Sequence, residues 1–459
     1  GRGLFAQVGG LISFIDNEVS EQSVEELSEA IAQNEGNADY LKDILRFKAH
    51  LLHPEVEQAL AKLSPVLDAP YIIYNQAKLS DLKFPMFDVE GEAHPMSFTL
   101  FEGEWEYESN VLLRRAAFDA FSKQLANYQN TITTAYQTQV QKDKLLSNMR
   151  GFDSVIDYLL FDQKVDRGMY DRQIDVIMNE LSKPMRKYAK LLQRIHKLDK
   201  MTFADLKIAV DPEFEPTTTI ADAQQTILEG LSVLGEDYQA MLKRAFAERW
   251  IDYVQNDGKS TGAFCSSPYG SHPFILISWT ERMRECFVLA HELGHAGHFY
   301  LANQHQNILN TRPSLYFIEA PSTMNEMLMA NHLMKSSDDP RMKRWVLASM
   351  VSRTYYHNFV THLLEAAYQR EVYRRIDAGQ SVVASTLNAL KREVLERFWG
   401  EDVEINEGAE LTWMRQPHYY MGLYPYTYSA GLTVATVVSQ KLLKDESMNG
   451  KWLEVLKAG

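Results

Sequence analysis

The sequence contains little of several features that would each indicate a particular class of protein. Only two of its 459 residues are cysteines, Cys265 and Cys286, so it has no disulfide framework and no cysteine-based metal motif. Glycine and proline, with 23 and 15 residues, make up about 8% of the chain against an average near 12%. No uninterrupted apolar run approaches the ~18 residues of a membrane span. These scarcities exclude a collagen and a disulfide-stapled miniprotein, predict no membrane partner, and favour long helices.

Basic residues are also scarce relative to acidic ones. The chain has 47 Lys and Arg against 61 Asp and Glu, which gives a formal net charge of −14 at pH 7. Such a surface repels phosphate backbones, so we expect no nucleic-acid partner. The apolar share of 45% and the charged share of 24% are typical of a soluble globular protein rather than of a disordered chain. Scarce cysteine is typical of a protein from a reducing compartment.

The start of the sequence allows two interpretations. Gly1–Phe14 contains one Arg and a patchy apolar run, which is similar to a weak signal peptide. Gln7 and two glycines interrupt the apolar block, and this favours a buried helix instead.

Hydrophobic periodicity predicts a mainly α fold with few short strands. Apolar residues recur at helical spacing over most of the chain, and the clearest long helix is predicted from about Ser109 to Asn148. A short hairpin is predicted around Phe84–Phe101. We expect three regions: an N-terminal helical domain with the hairpin (1–105), a long helical hairpin region (106–210) and a C-terminal domain (211–459), for which the motifs described below predict zinc binding and catalysis.

One region departs from the helical pattern. Asn256–Pro273 is rich in Gly, Ser and Pro and predicts a loop. The apolar run Phe274–Ile277 then predicts a strand, and Thr280 can cap a helix that extends to Tyr300. A loop, a strand and a capped helix in succession form a plausible frame for an active site.

The predicted helix contains the sequence His291-Glu292-Leu293-Gly294-His295. Histidines at i and i+4 project from the same face, so both imidazoles can reach one tetrahedral Zn²⁺. Glu292 would lie near the water at the open metal position, whose pKa the metal lowers toward about 7, and could remove its proton as a general base. Chance also produces this pattern in histidine-containing chains. Two mid-helix glycines, Gly294 and Gly297, favour the functional interpretation, because glycine there is explained by another backbone packed closely against the helix.

The third ligand separates two kinds of zinc site. One kind has a glycine three residues after the second ligand and a histidine, the third ligand, six residues after it. In this chain the position three residues after His295 holds His298, and the position six residues after it holds Leu301. The other takes a glutamate from a second helix, and Glu319 is available at its predicted entrance. Glu326, two turns further on, could hydrogen-bond a metal-bound imidazole or be a solvated surface acid. The site already has three candidate ligands without His298, so this residue is interpreted as structural or substrate-facing.

A tyrosine-rich segment follows near the C-terminus. Residues 413–428 read W-M-R-Q-P-H-Y-Y-M-G-L-Y-P-Y-T-Y. Each buried phenol needs a hydrogen-bond partner, so an ordinary core would contain Leu and Val instead. Phenols and imidazoles can donate to the oxygen that becomes negative during peptide hydrolysis. An aromatic packing cluster is the alternative.

These motifs together resemble one known family, oligoendopeptidase F, and more distantly the thimet-type oligopeptidases. The resemblance rests on F-V-L-A-H-E-L-G-H-A-G-H at 287–298, F-I-E-A-P-S-T-M-N-E at 317–326, P-H-Y-Y…Y-P-Y-T-Y at 417–428, and G-A-F at 262–264. It implies a helical zincin-like bowl around a deep cleft, cytoplasmic cleavage of short peptides and one Zn²⁺. The family's chain continues past the position of Gly459, so the resemblance also implies a further C-terminal segment.

The resemblance also implies roles for individual residues. Its implied metal ligands are His291, His295 and Glu319, and its general base is Glu292. His418, Tyr424 and Tyr428 would stabilise or position the scissile carbonyl. The thimet branch has a further tyrosine where this chain has Gly431, so the main oxyanion donor stays open among the tyrosines. Further candidates for substrate binding are Gly262, Ala263, Phe264, Tyr420 and Tyr426.

The resulting hypothesis is a zinc-dependent endopeptidase. A peptide is expected to add as an edge strand along Phe274–Ser278. Two alternatives stay open: a zinc exopeptidase, which would need a fixed charge near the metal to hold a peptide terminus, and a catalytically silent helical scaffold that binds peptides.

Overall fold

The computed structural model describes residues 12, 14–256, 259, 262–445 and 447–459. Helices make up 70% of the structure, which confirms the predicted mainly α class. None of the described helices is long and apolar enough to cross a membrane. The helix predicted in Gly1–Phe14 lies outside the described residues, apart from Ile12 and Phe14.

Twenty α-helices cover most of the described chain. The first eleven are α1 Phe14–Glu21, α2 Val24–Gln33, α3 Ala38–Phe47, α4 Pro54–Leu67, α5 Ala69–Gln76, α6 Phe98–Gly103, α7 Val111–Ala126, α8 Gln129–Met149, α9 Val155–Phe161, α10 Arg167–Glu180 and α11 Ser182–Ile195. The others are α12 Ile220–Gly230, α13 Glu236–Ala247, α14 Met283–His305, α15 Ala320–Ser336, α16 Pro340–Ser349, α17 His362–Asp377, α18 Ala384–Trp399, α19 Pro425–Leu442 and α20 Met448–Lys457. A π-helical segment, Met350–Thr361, joins α16 to α17.

The long helix predicted from Ser109 to Asn148 is divided in two. The Asn110 side chain caps α7 by accepting from the backbone N–H groups of the next turn. The backbone N–H groups of Asn127 and Tyr128 bond carbonyls three residues back, which tightens the end of α7 before α8 begins. The Tyr128 hydroxyl donates to the Asp81 carbonyl, and this contact outside the helix stabilises the connection between α7 and α8.

The strands form two small sheets. β1 (Phe87–Val89) and β2 (Glu92–His94) are antiparallel and confirm the predicted hairpin. The second sheet has the order β3-β5-β4, with β3 Ile251–Asp252, β4 Phe264–Ser266 and β5 Phe274–Leu276.

The position of β5 contradicts one expectation. β5 confirms the strand predicted at 274–277, but it is the central strand, parallel to β3 and antiparallel to β4. Neighbours occupy both of its edges, so a peptide cannot add along Phe274–Ser278 as we expected. β4 is the strand of this sheet with a free edge next to the cleft described below.

Two hydrophobic cores organise the molecule. The first combines side chains from 74–208 with side chains from 356–426, and the second combines 223–350 with 435–456. The chain therefore passes between the cores within the π-helical segment and within α19. Both crossing segments carry residues of the candidate site. The division into regions 1–105, 106–210 and 211–459 stays a prediction.

A buried ion pair network stabilises the first core. The Asp205 carboxylate is fully buried and accepts from Arg114 Nε at 3.0 Å, from Arg115 Nη2 at 2.8 Å and from Thr202 Oγ1 at 2.7 Å. Burial raises the pKa of Asp205, but the hydrogen bonds from the two arginines and Thr202 outweigh it and hold the pKa below its ordinary value. This carboxylate therefore connects α7 to the turn at 203–205.

Candidate active site and metal centre

Two helices bring the three predicted metal ligands together. His291 and His295 lie one turn apart on α14, and Glu319 is the residue that precedes α15, as predicted. The Nε2 atoms of His291 and His295 are each 3.4 Å from Oε2 of Glu319. Glu319 is only 5% exposed. The three side chains therefore meet at one point, with one potential ligand atom each.

Close packing of α14 against α15 explains the first mid-helix glycine. A methyl group at Gly294 would lie 2.4 Å from the Pro321 carbonyl oxygen and 2.5 Å from Ser322 Cα. Only glycine allows this approach, and the approach places Glu319 beside the histidines.

The second glycine has a different neighbour from the one we expected. A methyl group at Gly297 would meet the Tyr238 ring at 2.6 Å, so a side chain rather than a backbone requires this glycine. The next residue, His298, is 1% exposed and packs against Phe299 and Phe317. Burial lowers the pKa of His298 to about 4. The structure therefore supports a structural role for His298.

A second carboxylate orients the first ligand. Nδ1 of His291 lies 2.6 Å from Oε1 of Glu326, and a carboxylate can only accept, so Nδ1 carries the proton. Nε2 of His291 then faces Glu319 and is the nitrogen through which this imidazole would bind a metal. The other oxygen of Glu326 accepts from Thr354 Oγ1 at 2.5 Å. Glu326 is therefore a hydrogen-bonded partner of His291, rather than the solvated acid of the alternative interpretation.

These donors fit a divalent cation. Burial lowers the pKa of His291, but hydrogen bonds and charges from Glu319 and Glu326 outweigh burial and hold the pKa well above its ordinary value. Burial raises the pKa of Glu319, but the charges of His295 and His291 and their hydrogen bonds hold it well below its ordinary value. The site thus stabilises positive charge beside the Glu319 carboxylate, and a divalent cation bound to Nε2 of both histidines would supply that charge. Two nitrogens and one oxygen are a common ligand set for a catalytic metal with an open position.

Glu292 lies beside these ligands and has no partner of its own. It is 6% exposed and lines the same cleft. Its carboxylate forms no hydrogen bond with any other described residue, which leaves both oxygens available to water. Burial raises the pKa of Glu292 above its ordinary value. These are the properties expected of a general base.

Three polar aromatic side chains face the ligands. Tyr424 and Tyr428 are one turn apart at the start of α19, and the Tyr424 hydroxyl is 3.5 Å from Oε1 of Glu319. His418 stacks on Tyr424, and its Nε2 is 3.4 Å from the Tyr428 hydroxyl. Burial raises the pKa of both phenols and lowers that of His418 to about 4. At pH 7 all three groups are neutral, and both phenols can donate.

A cleft of about 980 Å³ connects these groups. Its volume lies at the upper end of the range for small-molecule pockets. Ala263 and Phe264, at the start of β4, line one wall. Gly262 precedes them with a φ of +80°, a conformation that favours glycine, but it does not itself line the cleft.

Comparison with known proteins identifies the family. Residues 105–459 match the description "Peptidase family M3", and residues 18–84 match "Oligopeptidase F". The chain belongs to peptidase family M3. As a member of this family it is a metallo-oligopeptidase. The family implies a metal, and the donors described above fit one.

Two curated relatives are similar over nearly the whole chain. The oligopeptidase PepF of Bacillus subtilis is 26% identical over 99% of this chain and 68% of its own length. The plasmid-encoded oligoendopeptidase F of Lactococcus lactis subsp. cremoris is 26% identical over 99% of this chain and 76% of its own length.

Two solved structures share the fold of this chain. A chain from Chlamydophila abortus superposes with a TM-score of 0.88, at 24% identity, over 100% of this chain and 77% of its own. Oligoendopeptidase-F from Enterococcus faecium superposes with a TM-score of 0.77, at 21% identity, over 99% of this chain and 77% of its own.

Two of the predicted substrate-binding tyrosines do not line the cleft of this M3 peptidase. Tyr426 lies two residues from both Tyr424 and Tyr428, so it points to the opposite side of α19. It is 1% exposed and its hydroxyl donates to the Gln163 side chain. Tyr420 packs against Tyr74 at 4.8 Å between ring centroids. Both side chains belong to the packing of the first core, which matches the packing alternative for this part of the motif.

A second histidine cluster was not found by sequence reasoning. His362 Nδ1 is 2.7 Å from Oε2 of Glu365, and His362 Nε2 is 3.1 Å from Nε2 of His357, whose ring is exposed in the cleft. The His362 ring stacks on Tyr428 at 3.9 Å. His357 and His362 are five residues apart, which matches one turn of a π-helix but not of an α-helix. A search at the α-helical spacing therefore misses this pair.

Proposed function

We propose that the protein is a zinc-dependent endopeptidase that hydrolyses internal bonds of short peptides. The observation that carries the proposal is the meeting of His291 Nε2 and His295 Nε2 at one buried oxygen of Glu319, each at 3.4 Å, inside a cleft. These three residues would hold the ion, and Glu326 would orient His291. A bound Zn²⁺ supplies Lewis acidity and lowers the pKa of water next to it.

The protein's own residues would carry the proton and charge transfers. Glu292, with its unpartnered carboxylate, would take a proton from the attacking water and later deliver it to the leaving amine. Tyr428, Tyr424 and His418 would donate to the carbonyl oxygen as it becomes negative. Because burial keeps both phenols protonated, the donors need no change of charge during turnover.

The substrate is proposed to lie along β4. Phe264 is 48% exposed, and β4 pairs with β5 on one side only among the described strands. A peptide added as an antiparallel or parallel neighbour would be held mainly through its backbone, which suits a peptidase of broad sequence tolerance. We also propose a cytoplasmic location, which the two free cysteines support.

The proposal predicts the behaviour of Glu292→Gln. The substitution removes the base but keeps the shape of the side chain, so one Zn²⁺ per chain is expected to stay bound. The value of kcat is expected to fall by about 10²–10⁴. Metal analysis by mass spectrometry and hydrolysis of a fluorogenic peptide with both termini blocked measure the two effects.

Three outcomes distinguish the alternatives. An endopeptidase cuts the blocked peptide, an exopeptidase cuts only peptides with a free terminus, and a silent scaffold binds without product. Wild-type rates in Glu292→Gln would remove this residue from the mechanism, and wild-type protein without stoichiometric metal would refute the zinc proposal.

A further inference from the structure

One arginine in the cleft has no acidic partner. Arg353 belongs to the π-helical segment Met350–Thr361 and lines the same cleft as His291 and Glu319. Its side chain is half-buried and forms no ion pair or hydrogen bond with any described residue. A guanidinium is always charged and carries five donors, so this one is available to a ligand.

The other cations that line the cleft are already engaged. Their contacts within the described chain are Arg284 Nε to Glu285 at 2.8 Å, Lys207 Nζ to Glu106 at 2.6 Å, Arg415 to Glu102 at 2.9 Å and to Glu106 at 2.8 Å, and Lys78 Nζ to the Arg415 carbonyl at 2.7 Å. Arg353 therefore differs from each of these side chains, since it forms no hydrogen bond or ion pair with the described residues.

Its neighbours fix the position of Arg353. The guanidinium carbon lies over the Tyr107 ring, 5.7 Å from the centroid, which is a cation–π contact. Thr354, the next residue, donates to Glu326, which in turn accepts from His291. The backbone of Arg353 is thus tied to the metal ligands through two hydrogen bonds.

We propose that Arg353 is a carboxylate-binding subsite that takes the C-terminal carboxylate of the peptide substrate. The inference rests on the proposed peptidase function. Near the metal, Glu292, Glu319 and Glu326 repel a free carboxylate, whereas the edge of Arg353 can bind both of its oxygens. A terminus held there would place the cleaved bond at a fixed number of residues from the C-terminus.

The test compares peptides of one sequence that end in a free acid or in an amide. Wild-type enzyme is expected to prefer the acid by about ten- to a hundredfold in kcat/KM, mainly through KM, because the contact is a charge-assisted hydrogen bond. Arg353→Gln is expected to bring the ratio close to 1, and Arg353→Lys to keep part of it. Arg172→Gln, which removes an exposed charge on α10 outside the cleft, should retain the wild-type ratio.

Mass spectrometry of the products identifies the cleaved bond. When the acid peptides are extended at the N-terminus, the cut should stay at the same distance from the C-terminus in wild type and shift in Arg353→Gln. A third peptide ends in an amidated Glu, so its only carboxylate near the C-terminus is a side chain. If wild type cleaves this peptide as well as the free-acid peptide, a side-chain carboxylate can replace the terminal one at Arg353. A wild-type ratio near 1, or the same ratio in Arg353→Gln, overturns the inference while the peptidase proposal stands. Cleavage of neither peptide by wild type overturns the peptidase proposal itself.

Discussion

At the residue scale, hydrogen bonds to neighbouring side chains orient two of the three candidate metal ligands, His291 and Glu319. His291 points one nitrogen at the ligand cluster and donates with the other to Glu326. Glu319 directs one oxygen to the histidines, and the same oxygen accepts from Ser322 Oγ at 3.0 Å. The sequence predicted that His291 and His295 lie on one face, because the i, i+4 spacing depends on local helix geometry alone. The donation from Thr354 to Glu326 depends on tertiary contacts and could not be predicted.

Glu326→Gln is expected to weaken metal binding without abolishing it. The amide accepts more weakly from His291 and loses the charge that holds the ring, so the metal dissociation constant should rise about 10- to 100-fold. Competition with a fluorescent chelator measures the constant. Glu393→Gln, at an exposed position on α18, serves as the matched control. Equal affinity in Glu326→Gln and wild type would show that Glu326 does not support the metal site.

At the scale of single elements, helices were predicted well where the apolar spacing is α-helical. They were predicted less well where the backbone hydrogen bonds depart from the α-helical pattern. The end of α7 was missed because a hydroxyl contact outside the helix, from Tyr128 to Asp81, accompanies the tightened turn. The π-helical segment was missed because its five-residue spacing leaves no signal at the α-helical period. In contrast, β5 was found from its apolar run, but its central place in the sheet depends on pairing with distant strands.

α19 offers a test of close helix packing at the metal site. A methyl group at Gly431 would lie 2.6 Å from Glu319 Cβ and 2.7 Å from its carbonyl carbon, so glycine at this position leaves room for the ligand. Gly431→Ala is expected to displace Glu319, to weaken metal binding and to lower the free energy of unfolding by about 1–3 kcal/mol. Metal titration and denaturant unfolding check both effects.

Gly450→Ala is the control for this substitution. Gly450 lies within α20 and has no neighbour within 4 Å of an added methyl group. Alanine favours a helix over glycine by about 1 kcal/mol, so this variant should be at least as stable as wild type. If Gly431→Ala behaved in the same way, the packing argument for the metal ligand would be wrong.

At the scale of the whole molecule, the site lies where the two hydrophobic cores meet. The candidate metal ligands come from helices of the second core, whereas His418 and Glu365 belong to segments that pack with the first. The sequence predicted the order of these motifs but not the pairing of 74–208 with 356–426, because contacts between segments so distant in the chain carry no local periodicity.

Protonation of Asp205 in the first core is expected to contribute to a loss of stability at low pH. The pKa of Asp205 is lowered in the folded state, so its contribution is complete above the ordinary carboxyl pKa and is lost as the pH falls through the folded value. Asp205→Asn leaves Arg114 buried without its charged partner and should cost about 3–5 kcal/mol at pH 7. Thermal unfolding from pH 7 to about pH 3 should show the difference from wild type shrinking, because below the ordinary carboxyl pKa the unfolded chain takes up a proton at this position before the folded protein does. A constant difference would exclude this linkage.

If peptides bind along β4 as proposed, the shortness of this strand limits how the enzyme can distinguish one peptide from another. Three residues of strand span about 10 Å, so a bound chain can share a main-chain ladder with the protein over only a few amides. Side chains outside that span are not aligned by backbone pairing. Selection among long and short peptides is therefore expected to come from the ends of the cleft. Sequence preference is expected to be weak at substrate positions that form no backbone hydrogen bonds with β4.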